Sequence, residues 1–156
     1  MEEIGNPPDD FASAFEAAFA RLQVRLEEAC ADSGDWPAGV AAAIRAALEF
    51  GAAEPAAANT LTNAAMAAGR DGIARRERLL AYASEGLAHG RRHRPGAAEL
   101  PQLTEHAIAG GIAGLIAERL ATGRAAELPL LAPDAIQFAL TPYLGAAAAS
   151  RVAASG

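Results

Sequence analysis

Aromatic residues, β-strand patterns and cysteines are scarce in this sequence. Aromatics make up 5% of its 156 residues, and no run alternates β-branched or aromatic residues with polar ones, so strands are not expected. The single cysteine, Cys30, cannot form a disulfide within the chain, and we expect a reducing, cytoplasmic location. The acidic start MEEIGNPPDD does not resemble a signal peptide. No apolar run reaches the roughly 18 residues of a membrane span.

Alanine dominates what is present. Apolar residues make up 52% of the chain, and alanine is the strongest helix former. The length fits one domain with its own core. The net charge of −6 repels phosphate backbones, so we do not expect this chain to bind nucleic acid by itself.

Apolar residues recur at steps of three and four, as on one face of a helix. The first such stripe contains Phe11, Phe15, Phe19, Leu22 and Leu26. Prolines and glycines divide the rest of the chain, and residues 89–101 are predicted to form a loop. We predict an all-α fold, an antiparallel bundle of about six helices. It would consist of a flexible leader (1–8), a helical domain (9–145) and a fraying tail (146–156).

The fifth predicted helix, from Thr104 to Thr122, is apolar on two sides. Glycine inside a helix costs about 1 kcal/mol relative to alanine, and close approach by a second helix would compensate for it. The residues on its small side are Ala107, Gly110, Gly111, Gly114, Ala117 and Ala121. The side opposite carries leucines and isoleucines, so two separate surfaces must cover this helix.

The sixth predicted helix, from Pro133 to Gly145, has the same excess of apolar surface. Its polar strip is narrow and contains Asp134, Gln137 and Thr141. Two such helices would leave a large apolar patch on a monomer. We therefore predict a two-fold, four-helix interface made by the small side of the fifth helix together with Phe138 and Tyr143. The alternative is that both helices are central in a monomer.

No pattern in the sequence indicates catalysis, a metal or a cofactor, and we expect no enzyme activity. Glu85, His89 and His93 have a spacing that can bind a metal on a helix. Gly90 and Pro95 are expected to interrupt the helix there, so we predict a solvated loop instead.

Three segments together resemble a known family. They are FEAAFARL (residues 15–22), the stretch 54–79 with AMAAG and RDGIARRERL, and residues 100–145 with GGI, RAAELP and PYLG. In order and spacing, the chain from about Phe11 to Gly145 resembles the C-terminal ligand-binding and dimerisation domain of TetR-family transcriptional regulators. In that family a helix-turn-helix headpiece precedes this domain. Only ten residues precede Phe11 here, so DNA is expected as a partner only if a headpiece is supplied elsewhere.

The resemblance implies a homodimer that binds a small apolar effector among its first four helices. The residues it implies as ligand-binding are Phe15, Phe19, Leu22, Trp36, Phe50, Asn59, Leu61, Met66 and Tyr82. Asn59 belongs to a polar group with Thr60, Thr62 and Asn63 that could orient a ligand or serve as a capping cluster. The alternative functions are a structural dimer without a ligand and an enzyme. A cavity of about 300–1,000 Å³ would favour the sensing function.

Overall fold

The computed structural model describes residues 7–156, and it is helical through most of that range. The helices are α1 (Pro7–Ala31), α2 (Trp36–Ala53), α3 (Pro55–Leu61), α4 (Asn63–Ala67), α5 (Gly69–Ala88), α6 (Thr104–Ala121), α7 (Ala132–Leu144) and α8 (Ala146–Ala154). Short 3₁₀ turns occupy His89–Arg92, Pro95–Glu99 and Ala125–Leu131. No strand occurs between residues 7 and 156. The prediction of an all-α fold is confirmed.

Capping residues and glycines set several helix ends where the sequence indicated them. The Asp35 carboxylate accepts a hydrogen bond from the backbone N–H of Ala38 at 2.9 Å, which caps α2. Gly123 follows α6 with φ of 71°, and Gly145 separates α7 from α8 with φ of 84°. Only glycine adopts these angles without strain, so a helix that reaches such a residue ends there.

The third predicted helix is divided into α3 and α4 at Thr62. The Thr62 hydroxyl donates to the carbonyl of Ala58 at 2.9 Å. The backbone of Thr62 leaves the helical region, with φ of −118° and ψ of −90°. Bonds of this kind from threonine to the preceding turn compete with regular helix geometry.

The two predicted flexible ends need correction wherever the structure describes them. Residues 146–156 were predicted to fray, but most of them form α8, in which Ala149 and Ala153 are buried. Pro7 and Pro8 of the predicted leader lie at the start of α1. The rest of the leader, residues 1–6, lies outside the described residues.

The buried residues form two clusters that meet along α2. One cluster joins α2 to α6, α7 and α8, and includes Leu48, Ile108, Ile136 and Leu140. The other joins α1 to the far side of α2 and to α3 and α4. Its buried members are Phe15, Ala18, Phe19, Leu22, Phe50, Ala58, Leu61 and Ala65. Because α2 is shared, its two faces belong to different parts of the interior.

Across residues 7–156, no helix combines the length and the apolar character that crossing a lipid bilayer requires.

Candidate ligand-binding cavity

A cavity of about 690 Å³ lies between α1, α2, α5 and α6. Its volume is within the range of about 300–1,000 Å³ that small-molecule sites occupy. Most of its lining is apolar or small. The apolar and glycine lining residues are Leu26, Gly34, Trp36, Gly39, Val40, Ala43, Ile44, Ala47, Ala83, Gly86, Leu87, Ala109 and Ile112.

The floor of the cavity is formed by Val40 and Ile44 of α2, Leu87 of α5 and Ala109 of α6, all of which are buried. Val40 and Ile44 are four residues apart and therefore point in the same direction from α2. Around the floor, several helices present alanine where a larger side chain would fill the space, among them Ala43, Ala47 and Ala83. Small side chains on helices that face each other account for the empty volume.

The rim of the cavity is polar, and its exposed members are Glu27, Asp35, Glu85 and His89. Three of these four residues carry carboxylates. The Tyr82 hydroxyl donates to Oε1 of Glu27 at 3.5 Å. Partial burial, with a smaller contribution from the neighbouring Glu27 charge, raises the pKa of Tyr82 above its ordinary value. The phenol therefore stays neutral and acts as a donor.

Trp36 is held in the cavity wall by contacts on several sides. Its Nε1–H donates to the carbonyl of Gly86 at 2.8 Å, which joins α2 to α5. Its ring lies edge-to-face against Tyr143, with centroids 5.2 Å apart, and 4.9 Å from the ring of His93. A Cβ on Gly90 would lie 2.2 Å from the Trp36 ring, so only glycine fits there. Trp36 is also the single tryptophan of the chain.

Cys30 lies in the wall formed by the end of α1. Its Sγ–H donates to the carbonyl of Gly39 at 3.6 Å. Burial raises the pKa of the Cys30 thiol, and the reactive form of a cysteine is the thiolate. In this position Cys30 serves as a small, neutral part of the lining.

Two of the nine predicted ligand-binding residues, Trp36 and Tyr82, line this cavity. Five others lie in the cluster between α1 and α2 and do not line the cavity: Phe15, Phe19, Leu22, Phe50 and Leu61. They pack on one another, as shown by the ring centroids of Phe15 and Phe19 at 6.2 Å. The remaining two, Asn59 and Met66, are exposed. Most of the predicted residues therefore lie outside the lining of this cavity.

The apolar stripe on α1 explains why the predicted residues and the cavity lining differ. It runs from Phe11 through Phe19 and continues to Leu26 and Cys30, keeping the same helical face. Its aromatic first half fills the interior, whereas the smaller side chains of its second half border the cavity. The facing alanines of α2 and α5 were the signal in the sequence that could have indicated an empty region.

The polar residues around the break between α3 and α4 form hydrogen bonds with other parts of the protein. Nδ2 of Asn63 donates to Oδ1 of Asn59 at 3.0 Å and to the carbonyl of Ala117 at 2.9 Å. The second of these bonds joins α4 to α6. Neither asparagine lines the cavity, and no side chain of this group caps α3, α4 or α5, so the two asparagines form a structural contact between helices.

The small side of α6 faces away from the rest of the protomer. Ala107, Gly111, Gly114 and Ala121 are exposed, whereas Gly110 and Ala117 are half-buried. A Cβ added to Gly110 or Gly114 would meet no atom within 4 Å. Nothing in the protomer therefore requires glycine at these two positions.

Phe138 of α7 continues this surface, but Tyr143 does not. Phe138 is 52% exposed, and its ring lies 3.4 Å from the place a Cβ of Gly111 would take. Tyr143 is fully buried beside Trp36, so its assignment to a dimer surface is wrong for the protomer as folded. It lies seven residues after Ile136, which is also buried, on the inner face of α7. Leu115, predicted on the opposite side of α6, is 41% exposed and adjoins the small side.

Among the residues that the structure describes, no cluster of three or more histidine, cysteine or acidic side chains could hold a metal ion. His93 instead lies against the Trp36 ring. No family model, curated protein or solved structure matches this chain.

Proposed function

We propose that this chain is an effector-sensing and dimerisation domain of the TetR type, which binds a small apolar or amphipathic molecule. The observation that carries the proposal is the cavity of about 690 Å³ with its apolar floor and polar rim. A ligand site needs apolar area for affinity and a few polar groups for orientation. A domain that served only to pair with a second copy would have no use for such a space, and filling it would increase its stability.

The placement of the cavity suits a sensor because α1 forms one of its walls. Leu26, Glu27 and Cys30 all belong to the last two turns of α1. In the proposed mechanism a ligand contacts these turns and favours one position of α1 over another. The response of α1 is the signal.

The proposed dimer uses the exposed small side of α6 together with Phe138. The exposed glycines lower the stability of α6 unless a second helix approaches closely. A shallow depression beside Phe138, lined by Gln137, Thr141 and Pro142, offers room for a side chain of the second copy. The proposed occupant is the same surface of another copy, because a two-fold axis pairs a surface with itself.

The ligand-binding part of the proposal is tested by titration with the apolar fluorophore N-phenyl-1-naphthylamine. Trp36 is the single tryptophan and lies in the cavity wall, so energy transfer from tryptophan reports a probe bound there. We expect saturable transfer with a stoichiometry of one probe per chain, together with a higher melting temperature. Absence of saturable transfer would favour the structural dimer without a ligand.

A further inference from the structure

The charged side chains around the cavity are of one sign. Glu27, Asp35 and Glu85 are among its lining residues, and none of the lining residues is an arginine. The chain contains no lysine. The carboxylates that line the cavity therefore favour a positively charged ligand over a negatively charged one.

Two neutral polar side chains of the cavity, Trp36 and Tyr82, are already hydrogen-bonded within the protein. The indole N–H of Trp36 donates to the Gly86 carbonyl at 2.8 Å, and the Tyr82 hydroxyl donates to Glu27. Asp35 is used as the cap of α2. The lining therefore offers a ligand mainly acceptors, of which the carboxylates of Glu27 and Glu85 carry full charges.

The apolar and the charged residues of the lining lie at different depths in the cavity. Val40, Ile44 and Ala109 are buried at the floor, while Glu27 and Glu85 are exposed at the rim. An anionic amphiphile would have to place its charge beside these carboxylates, where repulsion weakens binding.

We propose that the cavity selects a cationic amphiphile, with its apolar body on the floor and its ammonium group at the rim, near the carboxylates of Glu27 and Glu85. This inference rests on the proposed ligand-binding function and assigns the chemical class of the ligand. Charge complementarity at the rim sets the preference, and the apolar lining supplies most of the affinity.

The test uses three amphiphiles with the same ten-carbon tail: decyltrimethylammonium, decanol and decanoate. Each competes with bound N-phenyl-1-naphthylamine on the whole chain, at concentrations below the micelle concentration of the two ionic amphiphiles and below the solubility limit of decanol. We expect the cation to bind at least about tenfold more tightly than the anion, with decanol between them. Raising the salt concentration reduces this difference, because exposed charges are screened.

Variants identify the carboxylates responsible. Glu27→Gln and Glu85→Gln are each expected to weaken binding of the cation by roughly threefold and to leave binding of decanol unchanged. Glu28→Gln is the matched control, because Glu28 is an exposed neighbour on α1 that does not line the cavity.

Several results would overturn the assignment of ligand class while leaving the proposed function intact. They are equal or tighter binding of decanoate, an effect of Glu28→Gln as large as that of Glu85→Gln, and failure of all three amphiphiles to displace the bound probe. If the probe itself does not bind, the proposed function fails, and this inference fails with it. The two failures are therefore distinguishable.

Discussion

Arg91 shows how one side chain holds the connection between α5 and α6. Its guanidinium donates to both carboxylate oxygens of Glu105, at 2.5 and 2.9 Å, and to the carbonyls of Leu100 and Pro101, both at 2.7 Å. The planar fork of arginine makes such two-pronged contacts possible. Glu105 is 6% exposed, so without Arg91 its charge would be buried and uncompensated.

The first prediction concerns the pH dependence of this pair. The hydrogen bond from Arg91 lowers the pKa of Glu105 below its ordinary value of 4.5. A carboxyl group whose pKa is lowered in the folded state stabilises the protein at pH values above its ordinary, unfolded-state pKa. That contribution is lost as the pH falls through the folded-state pKa. We therefore expect Glu105→Gln to lower the melting temperature at pH 7 by roughly 5 °C, and the difference from the unaltered protein to shrink below about pH 4.5.

Thermal unfolding followed by circular dichroism across pH measures both effects. Glu99→Gln is the control, because Glu99 is exposed and lies in the same connection. A melting-temperature difference for Glu105→Gln that stayed constant down to pH 3 would contradict the ionic role of the pair.

At the scale of elements, α8 is the largest departure from the sequence-based prediction. Residues 146–156 are mostly alanine, serine and glycine, and a short segment of small residues carries little local signal for docking. Ala149 is nonetheless fully buried, because α8 folds back onto α7 after the turn at Gly145. The small size of alanine lets the two helices lie close together.

The second prediction separates a docked α8 from a fraying tail. Ala149→Asp places a carboxylate in the apolar contact with α7, and we expect a loss of at least about 2 kcal/mol in the free energy of unfolding. The neighbouring Ser150 is exposed, so Ser150→Asp should be nearly neutral. Urea unfolding measures both variants, and equal stability of the two would mean that residues 146–156 are not docked.

Helix ends were predictable from the sequence, whereas the position of the cavity was not. Asp35, Pro55 and Gly145 act through their own backbone geometry or hydrogen bonds, so their effect can be inferred locally. The cavity depends on which faces of α1, α2, α5 and α6 meet. A stripe such as Phe15 to Leu26 shows which side of a helix is inward, but does not show whether the space it faces is filled.

On the scale of the whole molecule, the exposed glycines of α6 have no explanation within one protomer. The third prediction uses the open space next to Gly114, where a side chain meets no atom within 4 Å. Gly114→Leu should therefore leave the protomer folded and prevent formation of the proposed dimer. Ala17→Leu, at an exposed position on α1, should leave the dimer unchanged. Equilibrium sedimentation provides the measurement, and a monomeric unaltered protein at high concentration would rule out the dimer.

The two core clusters and the cavity all adjoin α2. Phe50 and Ile44 lie on the same helix, yet Phe50 packs into the cluster with α1 while Ile44 borders the cavity. The clusters supply the stability of the fold, while small side chains such as Ala43, Ala47 and Ala83 leave space beside the last turns of α1. The central claim is that this region is a binding site.

The measurement that tests this claim most directly compares the affinity for N-phenyl-1-naphthylamine in two variants of α5. Ala83→Leu extends a side chain from the cavity wall, while Ala81→Leu makes the same change at an exposed position two residues away. We predict that Ala83→Leu weakens binding at least about tenfold, since the added atoms occupy the volume that the probe needs. Ala81→Leu should bind like the unaltered chain. Equal affinity in all three proteins would contradict the account.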